Sequence, residues 1–264
     1  MRRPSLRASL ASLPPDRLLL FLDFDGTLTP IVRRPDRVRL KASVRGLLRR
    51  LAKAMPVVIV SGRALSDLRR LVGVPALRYV ASHGLVYQEP GAGVRWFGRP
   101  VSRRQVRGWV RALKQTAEGI AGALVEDKEL SAALHDRTVR PVDRRKLRRR
   151  ALRALEPWLT GRQAALIHGK RVLEVRPVAS WNKGTAVARL LNEPWARGRS
   201  PVYFGDDRTD FDAFRVLRGR GLSVRVGGRR SVAGEDVWVS GPHAVASLLR
   251  WLTDRVSRGE PRPA

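Results

Sequence analysis

The stretch LLLFLDFDGT (Leu18–Thr27) decides the fold class of this chain. Leu18–Phe24 is a short, almost unbroken apolar run, the pattern of a strand buried on both faces in the middle of a sheet. Two further runs repeat it. VVIV (Val57–Val60) ends in SGR (Ser61–Arg63), and PVYF (Pro201–Phe204) ends in GDD (Gly205–Asp207). Helical spacing follows both, with Leu65, Leu68, Leu71 and Val72 after the first and Phe211, Phe214 and Leu217 after the second. Strands alternating with helices predict a parallel α/β sheet. Ligands of such sheets sit beyond the C-terminal strand ends, so the turns DGT, SGR and GDD are expected to gather at one site.

The middle of the chain has a different rhythm. Tyr79–Ser82, Gly84–Gln88 and Arg95–Gly98 read as strands, the last two joined by the turn PGAGV (Pro90–Val94). Arg103–Ile120 carries Val106, Trp109, Val110, Leu113 and Ala117 on one helical face. Strand-like Ala123–Glu126 and Ser131–His135 come next, then a basic helix, then Ala164–Ile167 and Arg171–Val175 as a hairpin around His168-Gly169-Lys170. Helix, hairpin, helix, hairpin makes a compact α+β unit of about 75 residues, enough for a small domain. The expected organisation is a core built from residues 1–99 and 177–264, interrupted by an inserted α/β cap at residues 100–176. The α/β pattern resumes with a helix over Asn182–Leu191, and the tail Ser257–Ala264 (SRGEPRPA) reads as frayed.

Composition narrows the function classes. The 264 residues include 53 Lys+Arg against 23 Asp+Glu, a formal charge of +30, and only seven of the cations are lysine. A hydrophobic fraction of 43% excludes a wholly disordered chain. The absence of cysteine excludes disulfides, thiolate metal sites and cysteine nucleophiles. No apolar stretch approaches the roughly 18 residues of a membrane span, and the apolar run nearest the basic N-terminus, Leu18–Leu22, is shorter than a signal-peptide core of roughly 7–15 residues. A soluble, cytoplasmic protein without a membrane partner is the expectation. In the densest basic run, DRRKLRRRALR (Asp143–Arg153), Leu147, Ala151, Leu152, Leu155 and Trp158 recur at helical spacing and arginines fill the other positions. That is the solvated face of an amphipathic helix. No zinc-finger or RRM-like signature accompanies it, so no nucleic-acid partner is expected. A field this positive would still draw in an anionic substrate, with sensitivity to ionic strength.

Asp23 and Asp25 place two carboxylates just after the first strand, where alternation would point them the same way unless the chain is already turning. Two acids so close call for a shared cation, or for a proton on one of them. A capping Asp followed by an Asp-Gly turn is the bland alternative. Taken singly, Lys183 reads as a solvated helix residue and Ser61 as a helix cap.

Taken together, DFDGT (Asp23–Thr27), Ser61-Gly62-Arg63, Lys183 at the start of a later helix, and Gly205-Asp206-Asp207 with Asp210 resemble, in order and in context, the motifs of the haloacid dehalogenase (HAD) phosphatase superfamily. The resemblance implies a HAD-like Rossmannoid core with an inserted cap, and Mg²⁺ as cofactor. It implies metal ligation by the Asp23 carboxylate, the Asp25 backbone carbonyl and Asp206. Thr27, Ser61, Gly62 and Lys183 would hold the phosphoryl oxygens. Asp23 would attack phosphorus to give an aspartyl-phosphate, and Asp25 would serve as general acid and then general base. Asp207 and Asp210 are left as supporting groups or alternate metal ligands.

Longer segments narrow the likeness. LDFDGTLTPIV (Leu22–Val32), ASHGL (Ala81–Leu85), VEDKELSAALHDR (Val125–Arg137), VLEVRPVASWNKGTA (Val172–Ala186) and YFGDDRTDFDAF (Tyr203–Phe214) are similar to the trehalose-6-phosphate phosphatase family. Membership would make the substrate a phosphorylated disaccharide, contacted by Glu126, Lys128, His135, Arg137 and Glu174 of the cap. His83 is balanced between a core histidine and a substrate contact. The family commonly has an aromatic where Asp136 stands, and acids where Phe211 and Asn182 stand. The rival within the class is a phosphatase for another sugar phosphate, such as sucrose phosphate or a glucosyl or mannosyl phosphoglycerate. The rivals from another class are a basic nucleic-acid-binding protein and an inactive scaffold of the same fold, and the presence of every motif acid argues against the scaffold. The oligomeric state is not legible, with a monomer favoured.

Overall fold

The computed structural model describes residues 6–32, 34–98, 102–169, 171–178, 181–228 and 235–258. The chain divides into two compact units. The larger runs through Phe97 and resumes at Trp181, and the smaller is the stretch from Gly98 to Ser180.

The larger unit begins with α1 (Leu6–Ala11), β1 (Leu18–Asp23), α2 (Ala42–Ala54), β2 (Val57–Val60), α3 (Leu65–Val72), β3 (Arg78–Ala81), β4 (Val86–Gln88) and β5 (Val94–Trp96). The smaller unit contains α4 (Arg103–Ala117), β6 (Leu124–Asp127), β7 (Ala132–His135), α5 (Pro141–Thr160), β8 (Ala164–Gly169) and β9 (Val172–Pro177). The larger then resumes with α6 (Lys183–Leu190), β10 (Ser200–Gly205), α7 (Phe211–Leu217), β11 (Leu222–Val226), β12 (Val237–Val239) and α8 (Pro242–Ser257).

Eight strands form the sheet of the larger unit in the order β12-β11-β10-β1-β2-β3-β4-β5. Strands β12 through β3 run parallel, and β4 and β5 turn back antiparallel at one edge. All six residues of β1 are buried, as a strand with neighbours on both sides and helices on both faces must be. The chain winds from β1 to β2 on one side and later to β10 on the other, so the direction of winding reverses at β1. A crevice opens at such a switch point beyond the strand's C-terminal end, which here is Asp23. Register aligns Asp23 with Val60 and Leu22 with Phe204, so the residues that follow each strand emerge at the same level.

Residues 42–54, 222–226, 237–239 and 242–257 carry elements that the motif-led reading passed over. The signal for α2 was present in Val44, Leu47, Leu48 and Leu51, which recur at helical spacing and are all buried. In the second unit β6, β7, β9 and β8 form an antiparallel sheet in that order. One face of it packs Ala132, Leu134, Leu173 and Val175 against Val106, Trp109 and Leu113 of α4 and Leu147, Ala151 and Leu155 of α5. The α5 arginines fill the positions this stripe leaves, but Leu152, expected on the apolar face, is 39% exposed. The expected break before residue 177 also moves, because β9 pairs with β8 as far as Pro177 opposite Ala164 and stays whole with its own sheet. At the other crossing Phe97 packs into the apolar cluster of the larger unit, which sets the break at that residue. Ser257 closes α8, and the rest of the expected tail from residue 259 lies outside the described residues, as does Lys170 of the expected turn.

Phe21, wholly buried in β1 and stacked on Tyr203 of the neighbouring strand, reports on the packing of this central pair. Phe21→Ala is expected to cost about 3–5 kcal/mol in urea denaturation. A loss below about 1 kcal/mol would mean that β1 is not the packed centre of the sheet.

Candidate active site

The loop after β1 is fastened by its own apolar residues and backbone. Phe24 and Leu28 are buried, and the Phe24 carbonyl accepts from the Leu28 and Thr29 N–H groups, each at 3.0 Å. Gly26 stands at φ +92°, and a Cβ there would lie 2.1 Å from Asp206 Oδ2. Only glycine meets both conditions, and the DGT and GDD turns are thereby seated against each other.

Asp23 is buried at the end of β1. Lys183, the first residue of α6, reaches it with an Nζ···Oδ1 distance of 2.7 Å and reaches Asp210 Oδ1 at the same distance. The helix start that aims Lys183 is fixed by a reciprocal cap. Asn182 Oδ1 accepts from the Thr185 N–H at 2.9 Å, while Thr185 Oγ1 accepts from the Asn182 N–H at 2.8 Å. Gly184 lets the same turn approach α7, since a Cβ would come within 2.5 Å of the Asp212 carbonyl. Asp210, wholly buried, also accepts the Tyr203 hydroxyl on Oδ1 at 2.7 Å and the Asp207 N–H on Oδ2 at 3.0 Å.

Charge in this pocket is strongly perturbed. Burial raises the Asp23 pKa well above the ordinary carboxylate value; Lys183 pulls it down, and Asp210 and Asp206 push it up again. Burial alone would lower the Lys183 ammonium, but Asp210 and Asp23 outweigh it and hold the side chain charged. Asp206 is pushed up to about 7, first by burial and then by Asp210, with Lys183 opposing. Burial and the neighbouring acids Asp210 and Asp23 keep the Tyr203 phenol protonated, so it can only donate to Asp210.

Asp25 does not join this group. Its carboxylate turns to Arg63, which makes a bidentate pair at 2.7 Å (Nε···Oδ2) and 2.9 Å (Nη2···Oδ1). The same guanidinium holds Asp67 at 2.6 Å and the Pro35 carbonyl at 3.2 Å. Strand-like alternation of Asp23 and Asp25 therefore fails, because the chain turns immediately after β1. Ser61 Oγ accepts from the Arg63 N–H at 3.2 Å, which leaves its hydroxyl proton to donate. Thr27 is wholly buried with its hydroxyl unpaired. At Gly62 a Cβ would strike the His83 ring at 2.4 Å, so the glycine seats that imidazole against the SGR turn. Asp207 lies apart and exposed, its carboxylate capping the Arg208 N–H at 2.7 Å. The motif reading gave no role to Arg63 or Tyr203. The signal for Tyr203 was a hydroxyl in an otherwise apolar strand, which needs a buried partner.

Carboxylate oxygens of Asp23, Asp206 and Asp210 lie within 4.8 Å of one another, an acidic cluster that could hold a metal ion. The donor set fits a hard divalent cation. Asp23 Oδ2 and Asp206 Oδ1 are buried without a hydrogen-bond donor, and such oxygens are costly unless a cation or proton meets them.

The smaller unit carries a polar cluster of its own. The register Glu126–Ala133–Glu174 places both acids in one row across the sheet, on the face opposite α4 and α5. Glu126 pairs with His135 at 2.8 Å, while Glu174 takes Lys128 at 2.6 Å and the Ser131 hydroxyl at 2.7 Å. Arg137 is half-buried in the turn after β7. Ser131 was not foreseen as a partner of these residues.

The trehalose-phosphatase family model matches residues 21–234. A trehalose 6-phosphate phosphatase of Zea mays is 33% identical over 96% of this chain and 74% of its own length. A probable trehalose-phosphate phosphatase of Arabidopsis thaliana is 33% identical over 90% of this chain and 70% of its own. Among solved structures, the C-terminal domain of a Candida albicans trehalose-6-phosphate phosphatase superposes with a TM-score of 0.81, covering 96% of this chain and 98% of that one. At 22% identity this speaks for the fold. An Aspergillus fumigatus trehalose-6-phosphate phosphatase reaches a TM-score of 0.62 at 28% identity, covering 96% of this chain and 99% of that one.

The perturbed acids make a prediction about stability. Asp206 binds its proton more tightly folded (about 7) than at its ordinary value of 3.8. Without a cation, the folded state therefore loses stability as pH rises through that interval and bears the full cost above about 7. A divalent cation bound to the cluster removes the cost. The rise in Tm on adding Mg²⁺ or Mn²⁺ is expected to be larger at pH 8 than at pH 5. No rise at either pH would argue against a cation site at these residues.

Proposed function

The chain belongs to the trehalose-phosphatase family, a family of phosphoric monoester hydrolases, and from that premise we propose that it hydrolyses trehalose 6-phosphate to trehalose and phosphate by way of Asp23. The observation that carries the chemistry is the buried Asp23 at the switch point of the sheet, held at 2.7 Å by Lys183. The same ammonium retains a donor for a phosphoryl oxygen. The family relationship, rather than the geometry, supports the disaccharide as substrate.

A phosphomonoester dianion repels a carboxylate, so its charge must be met before Asp23 can approach phosphorus. We assign this to Lys183, to the unpaired Thr27 hydroxyl, to Ser61 Oγ–H and to the Gly62 N–H. Asp23, Asp206 and the Asp25 backbone carbonyl would hold Mg²⁺, which supplies further charge neutralisation of the phosphoryl oxygens. An Asp23 oxygen bonds to phosphorus as the bond to the sugar oxygen breaks, and the Asp25 carboxyl gives that oxygen its proton. Asp25 then takes a proton from water, the water oxygen displaces Asp23 from phosphorus, and phosphate leaves with Asp25 protonated again. To act as general acid, Asp25 must first take up a proton from solvent, and it must give up at least one of its two bonds to Arg63 so that an oxygen is free to carry that proton.

Sugar recognition is assigned to the smaller unit. A disaccharide presents many hydroxyls, which suit paired carboxylates and flexible donors, and Glu126, Lys128, His135, Arg137 and Glu174 supply them. Lys128 and Ser131 hold the Glu174 carboxylate in place, so it meets a sugar hydroxyl preorganised.

Phosphate release from a panel of sugar phosphates, with and without Mg²⁺, tests the proposal. Trehalose 6-phosphate is expected to be the preferred substrate, and the reaction to require the cation. Asp23→Asn is expected to lower turnover at least about 10³-fold, because the attacking charge is gone. A variant that keeps a tenth of the wild-type rate would refute Asp23 as nucleophile, and preference for another sugar phosphate would refute the substrate. Glu174→Ala is expected to reduce kcat/KM for trehalose 6-phosphate by about 10–100-fold and to spare p-nitrophenyl phosphate, which has no sugar. Equal losses on both substrates would move Glu174 out of sugar recognition.

A further inference from the structure

Tyr203 sits in the middle of β10, wholly buried between Phe21 and Phe214, with ring centroids 6.2 Å and 5.8 Å away. Phenylalanine would satisfy that packing. A hydroxyl in such surroundings costs stability unless it is bonded, and here it makes a single short bond to Asp210 Oδ1 at 2.7 Å. The oxygen it chooses is the one that also accepts Lys183 Nζ, again at 2.7 Å. The other Asp210 oxygen is occupied by the Asp207 N–H.

Lys183 stands between two carboxylates that compete for it, Asp23 and Asp210, at equal distances. An acceptor oxygen that already takes a short O–H bond has part of its charge neutralised and attracts a second donor less strongly. We propose that Tyr203 is a positioning residue for phosphoryl transfer: by donating to Asp210 Oδ1, it weakens that carboxylate's hold on Lys183 and keeps the ammonium on Asp23 and on the phosphoryl group that Asp23 receives. The inference rests on the roles given to Asp23 and Lys183 under Proposed function. It adds a buried group that touches neither substrate nor cation, and acts by dividing one ammonium between two acids.

The effect concerns the phosphoryl group, so it is independent of the sugar. Tyr203→Phe keeps the ring and removes one atom. At saturating Mg²⁺ it is expected to lower kcat about tenfold on both trehalose 6-phosphate and p-nitrophenyl phosphate, the worth of one hydrogen bond to a charged group. KM is expected to stay within about twofold. In a Lys183→Met background, where there is no ammonium to divide, Tyr203→Phe is expected to change the residual rate on p-nitrophenyl phosphate by less than about twofold.

A packing role would instead lower the rate about tenfold again in the Lys183→Met background, and that result overturns the inference. Wild-type kcat in Tyr203→Phe, with Asp23→Asn and Lys183→Met both strongly impaired, overturns the inference and leaves the proposed chemistry standing. Near-wild-type turnover in Asp23→Asn or Lys183→Met overturns the proposed chemistry, and this inference with it.

Discussion

One buried ammonium holds the site together. Lys183 is 160 residues from Asp23 and 27 from Asp210, and it bonds both at 2.7 Å in a pocket from which water is almost excluded. A lone charge there would be expensive, and so would either acid without it. The geometry of three elements follows from that requirement. β1 must end where Asp23 can face α6, α6 must begin with Lys183 at its first turn, and the β10 turn must fold back far enough to bring Asp210 underneath. Each condition has a local cause: the buried run of β1, the Asn182–Thr185 cap, and the fully buried Asp210 tied to the Asp207 N–H.

Asn182, Phe211 and Asp136 each have a structural task. Asn182 caps α6 through its amide oxygen, a task asparagine performs as well as aspartate. Phe211 lies 5.9 Å from Phe214 and takes the Arg225 guanidinium over its ring at 5.0 Å, so an acid there would give up an aromatic contact. Asp136 is buried and bonded to Arg148 of α5 at 2.7 Å. It braces the turn after β7 against the helix. None of the three replaces a group of the Asp23–Lys183–Asp210 constellation.

The two crossings between the units are tied together within the larger one. Phe97, the last residue before the smaller unit, and Trp181, the first after it, are in ring contact at 5.5 Å, and the Arg189 guanidinium lies over both. Trp181 is next to the Asn182 cap and two residues from Lys183. The aromatic cluster thus fixes the chain where it re-enters the larger unit, and fixes it immediately before the helix turn that carries the ammonium. The WNKG segment (Trp181–Gly184) is a unit for that reason: anchor, cap, charge, and a glycine that permits close packing on α7.

The sequence by itself determined the elements that frame the candidate site. Continuous apolar runs cannot be solvated, so Leu18–Phe24, Val57–Val60 and Pro201–Phe204 had to be central strands, and polar turns after them had to gather at one end. Periodicity likewise determined α4 and α5 and exposed the arginines as a helix surface. What the tertiary structure decided is which charges meet. Asp23 and Asp25, two residues apart, go to different partners because the chain turns between them, one to Lys183 and one to Arg63. Arg63 had no local mark among so many arginines, and the hydroxyl of Tyr203 in an apolar strand called for a partner without naming it; only the fold brings Asp25 to the one and Asp210 to the other. Glu126 and Glu174 share a row only because β6 and β9 flank β7, a pairing set by strand order and register rather than by any spacing along the chain.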